Sequence, residues 1–145
     1  INHNIKIIYL STGYVYPGTK GNYKENESLL PYNNYAWSKL GGECAVQMYK
    51  KSLILRVTMT EKPFAHNTAF TNLKSNFMFH EDLIDILPKI INKIGIINIG
   101  VKSQSVYDFA RKHNKTVKKA KLNINSNFPL NQTMNLSKLK KILKW

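Results

Sequence analysis

Three short apolar runs restrict the folds open to this chain: IKIIYL at 5–10, SLILRVT at 52–58 and GIINIG at 95–100. Strands that are buried on both faces read as continuous β-branched runs, without polar alternation. The segments between them have the length and spacing of helices. Asn33 or Asn34 can cap a helix reaching about Lys51. HEDLIDILPKIINKI at 80–94 places Leu83, Ile86, Leu87, Ile90 and Ile91 along one side. Pro88 inside it is expected to kink the helix or to sit where packing tolerates a lost hydrogen bond. Ser103 or Ser105 can cap a helix through about Lys112, and 135–144 reads as a short closing helix. Pro17-Gly18 marks a turn in a polar loop over 16–31, and 59–77 reads as irregular. Strand, helix and strand in this order predict an α/β fold: a parallel sheet with helices on its faces.

On the first helix, Tyr35 and Lys39 stand four residues apart and therefore share a face. An ammonium beside a phenol favours the phenolate and makes the hydroxyl a proton donor or acceptor for a carbonyl or alcohol oxygen. Thr12 lies just past the expected end of the first strand, and ligands of parallel sheets bind beyond strand carboxyl ends. Its hydroxyl is placed to hold the oxygen on which Tyr35 would act.

The stretches IIYLSTGYVYPG (7–18), YKENESLLPYNNYAWSKLGGE (23–43) and LILRV (53–57) resemble the extended short-chain dehydrogenase/reductases, also known as the NAD-dependent epimerase/dehydratase family. The branch most similar is that of the dTDP-4-dehydrorhamnose reductase-like proteins. GIINIGVKSQSVYDFA (95–110) and PLNQTMNLSKLKKIL (129–143) resemble later segments of the same family. The resemblance implies the C-terminal part of a Rossmann-type, doubly wound parallel sheet with a small substrate-binding subdomain. Residues 1–58 would carry the catalytic part, and 59–145 the remaining sheet elements and the subdomain. It implies reduction of a 4-keto-6-deoxy sugar nucleotide with NAD or NADP as cofactor. Thr12, Tyr35 and Lys39 would be catalytic, and Tyr35, Lys39, Val57 and Thr58 would meet the cofactor. The alternatives are an NAD-dependent nucleotide-sugar epimerase and an inactive remnant or interaction module. Gly13 stands where the branch often has an acid, so an auxiliary proton donor is missing. None of the seven glycines forms a G-x-x-G-x-x-G phosphate loop between a strand and a helix. The family's dinucleotide-gripping N-terminal half is therefore expected to lie outside this sequence, which begins at Ile1, as part of a longer chain or as a partner. A homo-oligomer is the other partner considered. Alone, the chain is expected to bind NAD(P) weakly.

The formal net charge is +14, but lysine supplies nearly all of the positive charge and only Arg56 and Arg111 are arginines. Nucleic-acid readers lean on arginine, so a nucleic-acid partner is disfavoured, although KHNKTVKKAK (112–121) and KLKKILKW (138–145) leave a polyanion binder open. A diphosphate ligand would also suit a positive surface. No apolar run reaches the ~18 residues of a membrane helix. Cys44 is the single cysteine and is expected to be a packed thiol in a reducing cytoplasm. His3, His66, His80 and His113 lack metal-ligand spacing. Glu43, four residues after Lys39, is expected to pair with it along the helix. Arg56 faces either a phosphate or an acid, and Glu25 either orders its loop or is solvated. Trp37 is expected to pack, and Gly41-Gly42 to mark close packing against a neighbour. The aromatics of PFAHNTAFTNLKSNFMFHED fit either a sugar-nucleotide pocket or a core.

Overall fold

A computed structural model describes residues 5–123 and 128–145; His3 lies outside the described residues. In chain order the elements are β1 (Ile7–Thr12), α1 (Asn34–Gln47), β2 (Ser52–Val57), β3 (Met59–Thr60), β4 (Thr68–Phe70), β5 (Lys74–Ser75), β6 (Met78–Phe79), α2 (His80–Ile90), β7 (Gly95–Ile99), β8 (Gln104–Ser105), α3 (Val106–His113), β9 (Lys118–Ala120) and α4 (Ser137–Leu143). The three apolar runs form one parallel sheet in the order β1-β2-β7. Rossmann-type α/β architecture follows from this order together with helices on both faces.

Register and pleat decide which face each residue meets. Ser11, Arg56 and Asn98 form one cross-strand row, and Thr12, Val57 and Ile99 form the next, on the opposite face. Leu53, Leu55, Val57, Ile97 and Ile99 pack against Leu83, Ile86 and Ile90 of α2 and Leu139 of α4. Each such fully buried aliphatic side chain contributes about 1.5–3 kcal/mol. On the other face lies α1, where the Tyr9 hydroxyl donates to the Lys39 carbonyl at 3.2 Å. Among the described residues β1 and β7 are the two edges of this sheet, and Ile7 and Leu10 on β1 are exposed.

Local chemistry sets the helix starts. The Asn33 side chain accepts the Ala36 N–H at 2.8 Å, and Ser105 accepts the Asp108 N–H at 3.0 Å. Asp82 accepts the Phe79 N–H at 2.8 Å and closes the start of α2. That helix stops at Ile90, short of the expected Ile94, with Pro88 in its last turn. The segment 59–77 is less irregular than its composition suggests. Short strands there pair with distant partners, including β4 with β9 inside the basic 112–121 run. Phe64, Phe79, Val106, Phe109 and Val117 form a second core around these strands.

The two adjacent glycines of α1 differ. A Cβ at Gly42 would overlap the Tyr9 ring, so β1 approaches the helix backbone there, whereas a Cβ at Gly41 meets nothing within 4 Å. Gly41→Ala should therefore raise stability by about 0.5–1 kcal/mol. Gly42→Ala should lower it, and the two urea midpoints should shift in opposite directions.

Candidate functional site

A cleft of about 350 Å³ opens over the carboxyl ends of β1 and β2. Tyr35 and Lys39 reach it from α1, while Leu10, Ser11, Thr12, Val57 and Thr58 come from the strand ends. Tyr14, Met59 and His80 complete the lining. All five residues named from the sequence as catalytic or cofactor-binding thus stand on one cleft. Thr12 closes β1 instead of following it.

Each group has a defined hydrogen-bonding state. Thr12 is buried, and its side-chain oxygen accepts the Tyr14 N–H at 3.2 Å. That leaves its own O–H free to donate to a ligand oxygen. Tyr35 is 55% exposed, so its phenol is open to a bound molecule. The Lys39 ammonium sits over the Tyr9 ring, 4.4 Å from its centroid, a cation–π contact that holds it near the strand ends. The hydroxyls of Ser11 and Thr58 belong to residues 4% and 5% exposed and have no hydrogen-bond partner. Buried hydroxyls are normally paired; these two oxygens are covered by the packed chain, Thr58 Oγ1 lying against Gly13. A Cβ at Gly13 would lie 2.9 Å from the Thr58 hydroxyl and 3.2 Å from the Met134 sulfur. The position that lacks an acid therefore has no room for one as the chain is packed.

Tyr14 is an additional phenol in the cleft that sequence reasoning passed over. Burial, reinforced by Tyr32 and Tyr35, pushes its pKa from 10.0 up to about 12. Its ring also lines a neighbouring pocket of about 430 Å³ with Met59, Phe64, Phe70, Phe77 and Phe128. The aromatics of the 63–82 segment thus serve both readings: Phe64 and Phe79 are core, and Phe70 and Phe77 are partly exposed at the pocket.

What fixes α1 against the sheet is a buried ion pair. Glu43 is fully buried and takes three hydrogen bonds from Arg56, Nε to Oε1 at 3.0 Å and to Oε2 at 3.2 Å, and Nη2 to Oε2 at 2.7 Å. Arg56 Nη1 also donates to the Tyr16 hydroxyl at 2.8 Å and to the Glu25 carbonyl at 3.1 Å. Burial disfavours the charged guanidinium, but the Glu43 bonds outweigh it and hold the Arg56 pKa above its ordinary value. Tyr16 donates in turn to Asn98 Oδ1 at 2.9 Å, and the Asn98 N–H donates to Glu25 Oε1 at 3.1 Å. The Glu43–Lys39 pair expected along the helix is thus replaced by Glu43–Arg56. Arg56 meets an acid, and Glu25 orders its loop. Two other expectations also fail. Cys44 is exposed, and Trp37 is 52% exposed, because both fall on the solvent side of α1 once Glu43 points inward. Among the described residues no cluster of His, Cys, Asp or Glu is arranged to hold a metal, and no helix is long and apolar enough to cross a membrane.

A Tyr-x-x-x-Lys helix beside a hydroxyl at a parallel-strand end defines the class: a Rossmann-type domain of the short-chain dehydrogenase/reductase kind. Residues 1–77 match the family described as the RmlD substrate binding domain, and the chain belongs to that family. A dTDP-4-dehydrorhamnose reductase of Aggregatibacter actinomycetemcomitans is 38% identical over 76 residues, which is 51% of this chain and 26% of that protein. Among solved structures, a hypothetical dTDP-4-dehydrorhamnose reductase from Sulfolobus tokodaii superposes with a TM-score of 0.78 at 24% identity, covering 94% of this chain and 58% of the other. The dTDP-4-dehydrorhamnose reductase of Bacillus anthracis, solved in complex with NADP, gives 0.78 at 21% identity, covering 94% and 59%. The chain therefore spans about a quarter of the curated relative and under two thirds of these solved ones.

Two outcomes follow from the charged and phenolic groups. Glu43→Ala strands the Arg56 cation and should cost about 3–5 kcal/mol, read as a large drop in thermal midpoint. Tyr14 is neutral in both folded and unfolded chain below pH 10. Between there and about 12 the unfolded chain sheds the proton first, so the group's share of stability is lost as pH rises through this window. In a phenolate absorbance titration of the folded chain, Tyr14→Phe should remove one late-titrating phenol.

Proposed function

We propose that this chain is the substrate-binding and proton-transferring part of a nucleotide-sugar reductase acting on a 4-keto-6-deoxy sugar. The observation that carries the reading is the meeting of Thr12, Tyr35 and Lys39 on one cleft at the strand ends, in a chain of this family. The sugar ketone lies with its oxygen between the Thr12 and Tyr35 hydroxyls. Thr12, already accepting from Tyr14, donates its hydrogen to that oxygen and polarises the carbonyl. Tyr35 passes its proton to the oxygen as charge develops there, and Lys39 restrains the negative charge left on the phenol. Val57 and Thr58 would hold the nicotinamide end of a reduced cofactor, whose chemistry would be hydride donation to the carbonyl carbon.

The residues fit only one end of such a cofactor. Lys39, Val57 and Thr58, which line the cleft, suit the ribose and carboxamide. No glycine loop in this sequence suits the diphosphate. The dinucleotide-binding half is therefore supplied by another segment or chain. The pocket that shares Tyr14 and Met59 with the cleft is lined by aromatic rings, a chemistry that suits a planar base. The net charge of +14 suits the substrate's diphosphate.

The test is reduction of a dTDP-linked 4-keto sugar, followed by loss of reduced-nicotinamide absorbance, with the dinucleotide-binding half present. Tyr35→Phe should lower turnover by about 10²–10⁴-fold, with nucleotide-sugar affinity nearly kept. Turnover equal to that of the parent chain would remove Tyr35 from this role.

A further inference from the structure

The cleft has a wall that the reaction above does not use. It lies across the ends of β1 and β2, and helices cover opposite faces of that sheet. Tyr35 and Lys39 come from α1 on one face, while α2, packed on the other, places its first residue, His80, on the same cleft. The chain sends alternate rings to different places here. Phe79 turns into the second core, 4.8 Å from Phe109 and 4.6 Å from His113 between centroids, and His80 stays exposed at the cleft. Packing therefore accounts for Phe79 and leaves His80 facing the ligand space.

The surroundings say what kind of atom His80 would meet. Glu81 and Asp82 occupy the first turn of α2, and Asp82 already accepts the Phe79 N–H. Two carboxylates beside a helix start disfavour a phosphate there, despite the helix dipole. The same cleft is lined by Thr12 and Tyr35, which bring hydroxyls to it. Apart from the Lys39 ammonium on the α1 side, the polar groups of the cleft are hydroxyls, which suit a ring bearing hydroxyl or carbonyl oxygens, and an imidazole N–H adds a directed donor from the opposite wall. Gly13, packed on Thr58 and Met134, contributes no side chain from the loop after β1.

Resting on the reading that Tyr35 faces a nucleotide-linked sugar, we propose that His80 is a substrate-contacting specificity residue. Its imidazole donates a hydrogen bond to a sugar oxygen other than the one protonated by Tyr35. The contact is to the sugar, not to the diphosphate or the base.

Nuclear magnetic resonance on this chain tests the assignment. The protein, labelled in its histidine and tyrosine rings, is titrated with dTDP-glucose and separately with dTDP. The His80 imidazole signals, identified by their loss in His80→Asn, should move with dTDP-glucose and stay in place with dTDP. His80→Phe should weaken dTDP-glucose about tenfold and leave dTDP unchanged, the size expected when one hydrogen bond to a ligand is lost. His80→Asn, which keeps an N–H donor, should recover part of the loss. If the Tyr35 signals move with dTDP-glucose and those of His80 do not, the His80 assignment falls and the proposed function stands. If dTDP alone moves His80 equally, the contact is to the nucleotide and the assignment falls. If neither ligand moves either ring, both readings fall together.

Discussion

The Glu43–Arg56 ion pair sets the geometry on which the cleft depends. Tyr35, Lys39 and Glu43 stand at four-residue intervals, so one face of α1 carries all three. Glu43 is locked to Arg56, next to the carboxyl end of β2, and this fixes the rotation of the helix about its axis. Tyr35 and Lys39 then have no choice but to project over the strand ends. A buried pair of this kind is weak evidence for net stability, because desolvation of both charges offsets much of their attraction. Its value lies in direction: a carboxylate with two donors on one guanidinium permits a single docking of helix on sheet. The same guanidinium reaches Tyr16 and Glu25, and through Asn98 the network touches β7. One cation thus gathers α1, two strands and the 16–27 loop.

The site itself arises where regular structure stops. Strands β1 and β2 end in register at Thr12 and Val57, and their polar side chains face space that α1 and α2 flank from opposite faces. The hydroxyls of Ser11 and Thr58 are buried there without partners. Gly42 makes the arrangement tight by letting Tyr9 approach the helix backbone. Tyr9 in turn supports the Lys39 ammonium through its ring and the Lys39 carbonyl through its hydroxyl.

Much of this was legible in the sequence. The apolar run at 52–58 announced a strand because burial on both faces leaves no room for polar alternation, whereas the run at 5–10 became an edge strand on which Ile7 and Leu10 are exposed. Asn33 and Ser105 announced helix starts because their side chains replace missing backbone partners. The Tyr35–Lys39 face was legible because helical spacing is fixed. The destination of Glu43 was not: an i, i+4 lysine is the local choice, and only the register of β2 against α1 reveals the better partner thirteen residues on. Cys44 and Trp37 were misplaced as a consequence, since both readings depended on the rotation that Glu43 sets. The short strands within 59–79 and at 118–120 were hidden because two- and three-residue pairings carry no periodicity. His80 was weighed only as a metal ligand. Its place on the cleft comes from the fold of α2 onto the far face of the sheet, which no local pattern encodes.

The open side of β1 bears on how copies of this chain behave in solution. Among the described residues β1 has one hydrogen-bonded neighbour, so its outer row of amides, beside exposed Ile7 and Leu10, is a template for another backbone. The formal charge of +14 opposes such stacking by mutual repulsion. At physiological ionic strength that repulsion fades beyond about 8 Å, and added salt shortens its reach further. Colloidal stability of the chain is therefore a balance between a sticky edge and a charged surface, and salt tips it toward the edge.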